Sequence, residues 1–189
     1  MRQVILTVGP QGVGKSTFCD QIVKSYPEIV LVSRDAILME LFGEVYLDSY
    51  SSGHYVALER MWELVAEHMR RDDVTIVLDC WNGFAEERRK ITKKLRSLKT
   101  DMIGAWYFIT PKDISLGWRM EKVRAENEGK DTRWKKIWED IKRDSFLHDY
   151  QLFHSQPINC GQGFNFIVKI NPLNPPPFES LFQKVRQLS

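Results

Sequence analysis

The chain of 189 residues lacks most features that would commit it to an unusual environment. It has three cysteines, Cys19, Cys80 and Cys160, far apart and in no C-x-x-C pair. That leaves no disulfide framework and no zinc-binding thiolate cluster, and points to reduced thiols in a cytosol. Four histidines, His54, His68, His148 and His154, fall into no H-E-x-x-H pattern, which argues against a catalytic zinc. A G-x-S-x-G elbow is also missing. No apolar run approaches a membrane span, and the run at Val4 is too short for a signal peptide. The expectation is a cytoplasmic protein with no membrane contact. Neither charge sign dominates: the net charge is +2 and the pI about 8.4. That mild basic lean tolerates a polyanionic partner without requiring one.

What is present suits a folded domain. Hydrophobic residues make up 43% and charged ones 28%, enough for one domain over 1–189 with a substantial core. "VILTV" at Val4–Val8, "EIVLVS" ending at Ser33, "VTIVLD" ending at Asp79, "MIGAWYFIT" before Pro111 and "FNFIVKI" ending at Ile170 read as five strands. Their apolar residues run on without alternation, as in strands covered on both faces. Helical patterns separate them: 15–26, then "RDAILMELF", 55–70, "GFAEERRKITKKLRSL", and a helix with Trp134, Ile137, Trp138 and Ile141 as its apolar side. Leu58, Met61, Trp62, Val65 and Met69 are the expected inner face of the 55–70 helix. "EVYLDSYSSGHY" reads as a loop, and "FESLFQKVRQL" as a closing helix. Strands alternating with helices predict an α/β fold with a mostly parallel five-stranded sheet between helical layers.

The strongest motif is "VGPQGVGKSTF", which fits G-x-x-x-x-G-K-[ST]. Gly9, Gly12 and Gly14 let backbone N–H groups turn toward phosphate oxygens, and the following helix adds its positive end. Lys15 then reaches the β- and γ-phosphates, and the Ser16 hydroxyl ligates Mg²⁺. Thr17 either supports the loop or is an ordinary helix residue. The motif lies between an apolar strand and an amphipathic helix, the context a three-layer P-loop NTPase fold needs. ATP and Mg²⁺ are the expected cofactors.

Two carboxylates follow strands. With strand order placing both strands beside the first, Asp35 and Asp79 open onto the crevice at the carboxyl ends. Asp35 suits a base toward an acceptor hydroxyl, or a helix N-cap. Arg34 suits a substrate phosphate, and Asp79 the magnesium or its water. Asn82 is either an acceptor contact or a cap, and Trp81 either stacks on a base or packs in the core. Residues 112–131 are dense in charge and read as a helical lid, with Arg119 and Arg124 the arginines expected to meet developing charge.

"GPQGVGKST", "SRDAI" and "LDCWNG" together resemble the phosphate-loop kinases grouped around the phage polynucleotide kinase. The resemblance implies Asp35 as catalytic base, Asp79 with Asn82 after the third strand, Arg119 and Arg124 in a lid, and Asn171 with Pro172 near the adenine. That family usually carries an arginine three residues after the base, where this chain has Leu38. Some related phage kinases act on hydroxymethyluracil in DNA. The expected reaction is therefore transfer of the γ-phosphate to a hydroxyl on nucleic acid, at a 5′ end or on a hydroxymethylated pyrimidine in DNA. For a phage protein the location would be the host cytoplasm. Tyr46, Tyr50, Tyr55 and Trp81 are candidates to hold a base. A nucleoside or other small-molecule kinase and a nucleotide-dependent switch are the alternatives. No protein partner is evident, and the oligomeric state is open.

Overall fold

The computed structural model describes residues 1–43, 52–177 and 181. Strands β1 (Arg2–Val8), β2 (Val30–Ser33), β3 (Val74–Asp79), β4 (Met102–Phe108) and β5 (Phe166–Ile170) form one sheet in the order β2-β3-β1-β4-β5. Every pairing is parallel. Between them run α1 (Lys15–Ser25), α2 (Arg34–Phe42), α3 (Ser52–His68), α4 (Ala85–Ser97), α5 (Lys112–Glu126) and α6 (Thr132–Ser155).

The unbroken apolar strands divide their side chains between two cores, because successive residues of a strand point to opposite faces. Val4, Leu6, Ile76 and Leu78 pack with Ala57, Met61 and Val65 of α3 on one face. Ile5, Val77 and Trp106 pack with Phe18 and Ile22 of α1 on the other. Phe18 meets Trp106 and Phe108 edge-on, at centroid distances of 5.4 and 5.5 Å. The α/β, mostly parallel five-stranded architecture is thus present as expected.

Several local expectations change. β2 is not beside β1: β3 lies between them. Residues 52–55, read as loop, begin α3, while Tyr46 and Tyr50 lie outside the described residues. So does the closing helix, apart from Leu181, which is buried. Leu58 is 40% exposed, although its neighbours Met61 and Val65 are buried. Residues 112–131 form α5 and a turn, and α5 then pairs with a much longer α6. On α6 the expected apolar side is largely uncovered: Trp134 is 65%, Ile137 41% and Ile141 50% exposed. The helix instead buries Phe146, Asp149 and Phe153, nearer its C-terminus. Periodicity marked an apolar stripe correctly, but only contact with another element buries one.

Candidate active site

A cavity of about 870 Å³ opens at the carboxyl ends of the strands, within the size range of small-ligand sites. One wall is the phosphate loop. Gly12 and Gly14 have φ of 76° and 91°, the left-handed region that suits glycine. A Cβ on Gly12 would lie 2.7 Å from the Ser115 carbonyl oxygen, so the loop packs directly against α5. Thr110 reinforces this seat, its Oγ1 donating to the Val13 carbonyl at 2.8 Å. No acidic residue occupies the first turn of α1, leaving the positive helix end to an anion.

Lys15 Nζ donates to the Gly9 and Pro10 carbonyls, both at 2.7 Å. Two of its three donors are used, and one remains for phosphate. Burial lowers its pKa, opposed by the charges of Asp79 and Asp35. Ser16 and Thr17 are exposed at the cavity wall.

Asp79 borders the same cavity, and Thr7 Oγ1 donates to its Oδ1 at 2.5 Å. Ser16 lines the same cavity, so one hydroxyl and one carboxylate are available there. Among the described residues, no three His, Cys, Asp or Glu side chains converge on a metal position. The pair fits Mg²⁺, which takes one or two carboxylates and fills its shell with water and phosphate oxygens.

Register explains how Asp35 arrives despite the altered strand order. Ser33 of β2 stands beside Asp79 of β3, and Asp35 follows two residues later. The α2 N-cap is Ser33, whose Oγ accepts from the Ala36 N–H at 3.4 Å, so Asp35 is not the cap. Arg34 Nη2 donates to Asp35 Oδ1 at 3.0 Å. Its Nε is buried with no hydrogen-bond partner among the described residues. Asp35, Arg34 and His54 all line the cavity.

Asn82 is buried and does not cap α4. Phe84 takes the cap position, and its N–H donates to Glu87 Oε2 at 3.0 Å. Asn82 Nδ2 donates to the carbonyls of Thr7 at 2.7 Å and Cys80 at 2.9 Å, tying the segment after β3 to β1. Its Oδ1 is buried without a hydrogen-bond partner among the described residues. Trp81 lines the cavity and meets Phe153 edge-on at 5.5 Å. Burial, followed by the charge of Asp79, pushes the neighbouring Cys80 thiol up to about 12, so this sulfur stays protonated and is a poor nucleophile.

The two arginines expected in a lid separate. Arg119 is 5% exposed and faces the cavity. Arg124 lies on the outer surface, its Nε 3.4 Å from Glu139 Oε2 across the α5–α6 hairpin. Asn171 turns inward on its own loop, Oδ1 accepting from the Leu173 N–H at 3.2 Å. Pro172 and Pro175 of that loop reach the cavity instead. Leu38, where the resemblance would have an arginine, is fully buried in the core and touches no substrate space.

Four residues went unnoticed in the sequence. Trp118 of α5 faces the cavity beside Gly14. Gln11 Nε2 donates to Asp149 Oδ2 at 3.0 Å, joining the phosphate loop to α6. Burial raises the Asp149 carboxyl pKa, opposed by His148, Lys15 and Arg119. Arg88 is fully buried. It donates to Gln162 Oε1 at 2.7 Å, to the Asn82 and Gly83 carbonyls at 2.8 and 3.0 Å, and to the Gln156 carbonyl. It thus holds the segment after β3 against the end of α6. The phosphate-loop pattern gives a reason to inspect Gln11, but no local pattern marks Arg88 or Asp149.

Comparison with known proteins matches residues 4–143 to the model described as an AAA domain. An adenylate kinase from Fervidobacterium nodosum is 28% identical over 111 residues, covering 55% of this chain. The chain spans about half the length of that relative, 51%. Among solved structures, a candidate kinase from Chloroflexus aurantiacus superposes with a TM-score of 0.66 at 13% identity, over 98% of this chain and 94% of the other. A fungal RNA kinase gives 0.61 at 16% identity, over 100% and 88%. A chain of the Pnkp1/Rnl/Hen1 RNA repair complex gives 0.56 at 19%, over 82% and 45%. These structural likenesses are likenesses of a P-loop kinase-like fold. No helix among the described residues is long and apolar enough to cross a membrane.

Proposed function

The chain belongs to the AAA domain family, and we propose that it is an ATP- and Mg²⁺-dependent kinase that phosphorylates a hydroxyl carried by nucleic acid. The observation that carries this reading is one cavity shared by Lys15, Asp79, Asp35 and Arg119. A hydrolase needs only a water beside the γ-phosphate. Here a half-exposed carboxylate, an arginine and a tryptophan extend the space beyond it.

In this reading Gly9, Gly12, Gly14, Ser16 and Thr17 hold the phosphates through backbone N–H groups and hydroxyls. Asp35 accepts the proton of the attacking hydroxyl. Lys15 and Arg119 meet the charge that develops on the transferred phosphoryl. Arg34 orients Asp35 and takes a substrate phosphate. Ser16 and Asp79 hold Mg²⁺, which when bound neutralises charge on the β- and γ-phosphate oxygens. Pro172, Pro175 and Trp118 form the side suited to a flat adenine, with Asn171 shaping that loop. α5 and the turn through residue 131 act as the lid over this single domain. Trp81 and Asn82 border the acceptor, which is a 5′ end or a hydroxymethylated pyrimidine in DNA.

A second reading, a small nucleotide or nucleoside as acceptor, is favoured by the adenylate kinase similarity and by the enclosed place of Arg34. The deciding experiment supplies γ-labelled ATP and Mg²⁺ with 5′-hydroxyl oligonucleotides, hydroxymethyluracil DNA, or nucleosides and nucleotides. Label on a polynucleotide is expected, reduced about a thousandfold by Asp35→Asn. Label confined to small acceptors, or free phosphate alone, would overturn the nucleic-acid reading.

A further inference from the structure

Three features outside the site's chemistry stand out: the buried Arg88 network, the Gln11–Asp149 contact and the uncovered stripe on α6. The first two act within the site. The third points outward.

Trp134, Trp138, Ile141, Ser145, His148 and Leu152 follow one another at steps of four and three residues, so they share one face of α6. At the C-terminal end this face meets the cavity wall. A Cβ on Gly83 would lie 2.7 Å from the Trp81 ring and 3.1 Å from Leu152, so Leu152 and Trp81 flank the same glycine. At the N-terminal end the face is open, with Trp134 65% and Ile141 50% exposed. The rise of an α-helix puts Trp134 about 27 Å from Leu152. The stripe is therefore a track that ends beside Trp81 at the acceptor side of the cavity.

Its borders are basic. Over the exposed half of α6, Arg133, Lys135 and Lys142 flank the stripe, with Asp144 the carboxylate beside them. Of the other nearby carboxylates, Glu139 pairs with Arg124, Asp140 with Arg143, and Asp131 caps α6. No carboxylate pairs with Arg133, Lys135 or Lys136 among the described residues. Lys142 lies over the Trp138 ring at 4.4 Å, so the aromatic and cationic groups interleave. Aromatic faces with cations alongside suit bases on one side and phosphates on the other.

We propose that this face of α6 docks a single polynucleotide strand and leads it toward Trp81 and Asp35. The inference rests on the nucleic-acid reading above and adds where the strand lies outside the cavity. Trp134 acts as a stacking platform for a base remote from the acceptor hydroxyl. Arg133 and Lys135, one on each side of the stripe, accompany the backbone.

The test measures binding of a long 5′-hydroxyl oligodeoxythymidylate to the full chain, by tryptophan fluorescence and by anisotropy of a labelled strand, without turnover. Trp134→Ala is expected to weaken binding about tenfold. Arg133→Ala is expected to lower the slope of log affinity against log salt by about 0.7. In turnover, Trp134→Ala should raise KM for the long strand and leave kcat and the KM of a dinucleotide acceptor unchanged. Unchanged strand binding in both variants would overturn the proposal. So would a dimer seen by sedimentation that Trp134→Ala abolishes while strand binding persists, which would assign the face to a second copy. A protein that binds strand through Trp134 but labels no polynucleotide would uphold the docking face while overturning the nucleic-acid kinase reading.

Discussion

The proposed phosphate side and the proposed acceptor side of the cavity are built in different ways. Gly9–Thr17 supplies nearly all of the phosphate side as one continuous stretch, completed by Asp79 and by α5 packed against Gly12. The acceptor side is assembled from Arg34 and Asp35, His54, Trp81 and Asn82, and Phe153, contributed by separate elements. A continuous loop can be positioned by its own backbone. A composite wall needs ties between elements, and Arg88 and Asn82 provide them. Recognition of phosphate, a constant group, suits the first construction. An acceptor that differs between kinases suits the second, where one element can change without disturbing the others.

Substitutions on each side can break this division. The largest effect is expected where the sides meet. Arg119→Ala should lower kcat about a thousandfold with a smaller change in ATP affinity. Arg124→Ala should change kcat little, since its partner is Glu139 on the surface. Equal losses in steady-state kinetics would refute the assignment of Arg119 alone. Lys15→Ala should lower turnover by about a hundredfold or more and weaken nucleotide binding, measured by calorimetry, whichever acceptor is present. Arg88→Met should cost about 3 kcal/mol in denaturant unfolding, because it leaves several buried carbonyls without their donor. At temperatures where that variant remains folded, acceptor KM should rise while ATP affinity holds. An equal loss of ATP affinity would mean that the two walls are one mechanical unit.

The same difference explains what could be read in advance. The phosphate loop was legible because its glycines, lysine and serine are neighbours in sequence and each has a local physical reason. Asp35 and Asp79 were legible because strand ends in a parallel sheet share an edge, even though β3 was found between β2 and β1. Arg88 was not, because on an otherwise amphipathic charged helix it looks like any solvent-facing arginine. Its burial depends on Gln156 and Gln162, which lie about seventy residues further on. Asp149 was hidden for the same reason, its partner Gln11 being 138 residues away. For Trp134, Ile137 and Ile141 the spacing marked the apolar side of the helix, and only the structure shows that this side is left open.

Sequence alone therefore determined the order of strands and helices along the chain, the anion-binding loop and the two strand-end carboxylates. Each follows from interactions over a few residues: apolar runs, turn glycines and helix ends. Tertiary structure decided the placement of β3 between β2 and β1, the position of Arg119 at the cavity and of Arg124 on the outer surface, the burial of Arg88 and Asp149, and the exposure of α6. Those outcomes depend on which distant surface meets which, and a side chain's own neighbours in sequence carry no record of that.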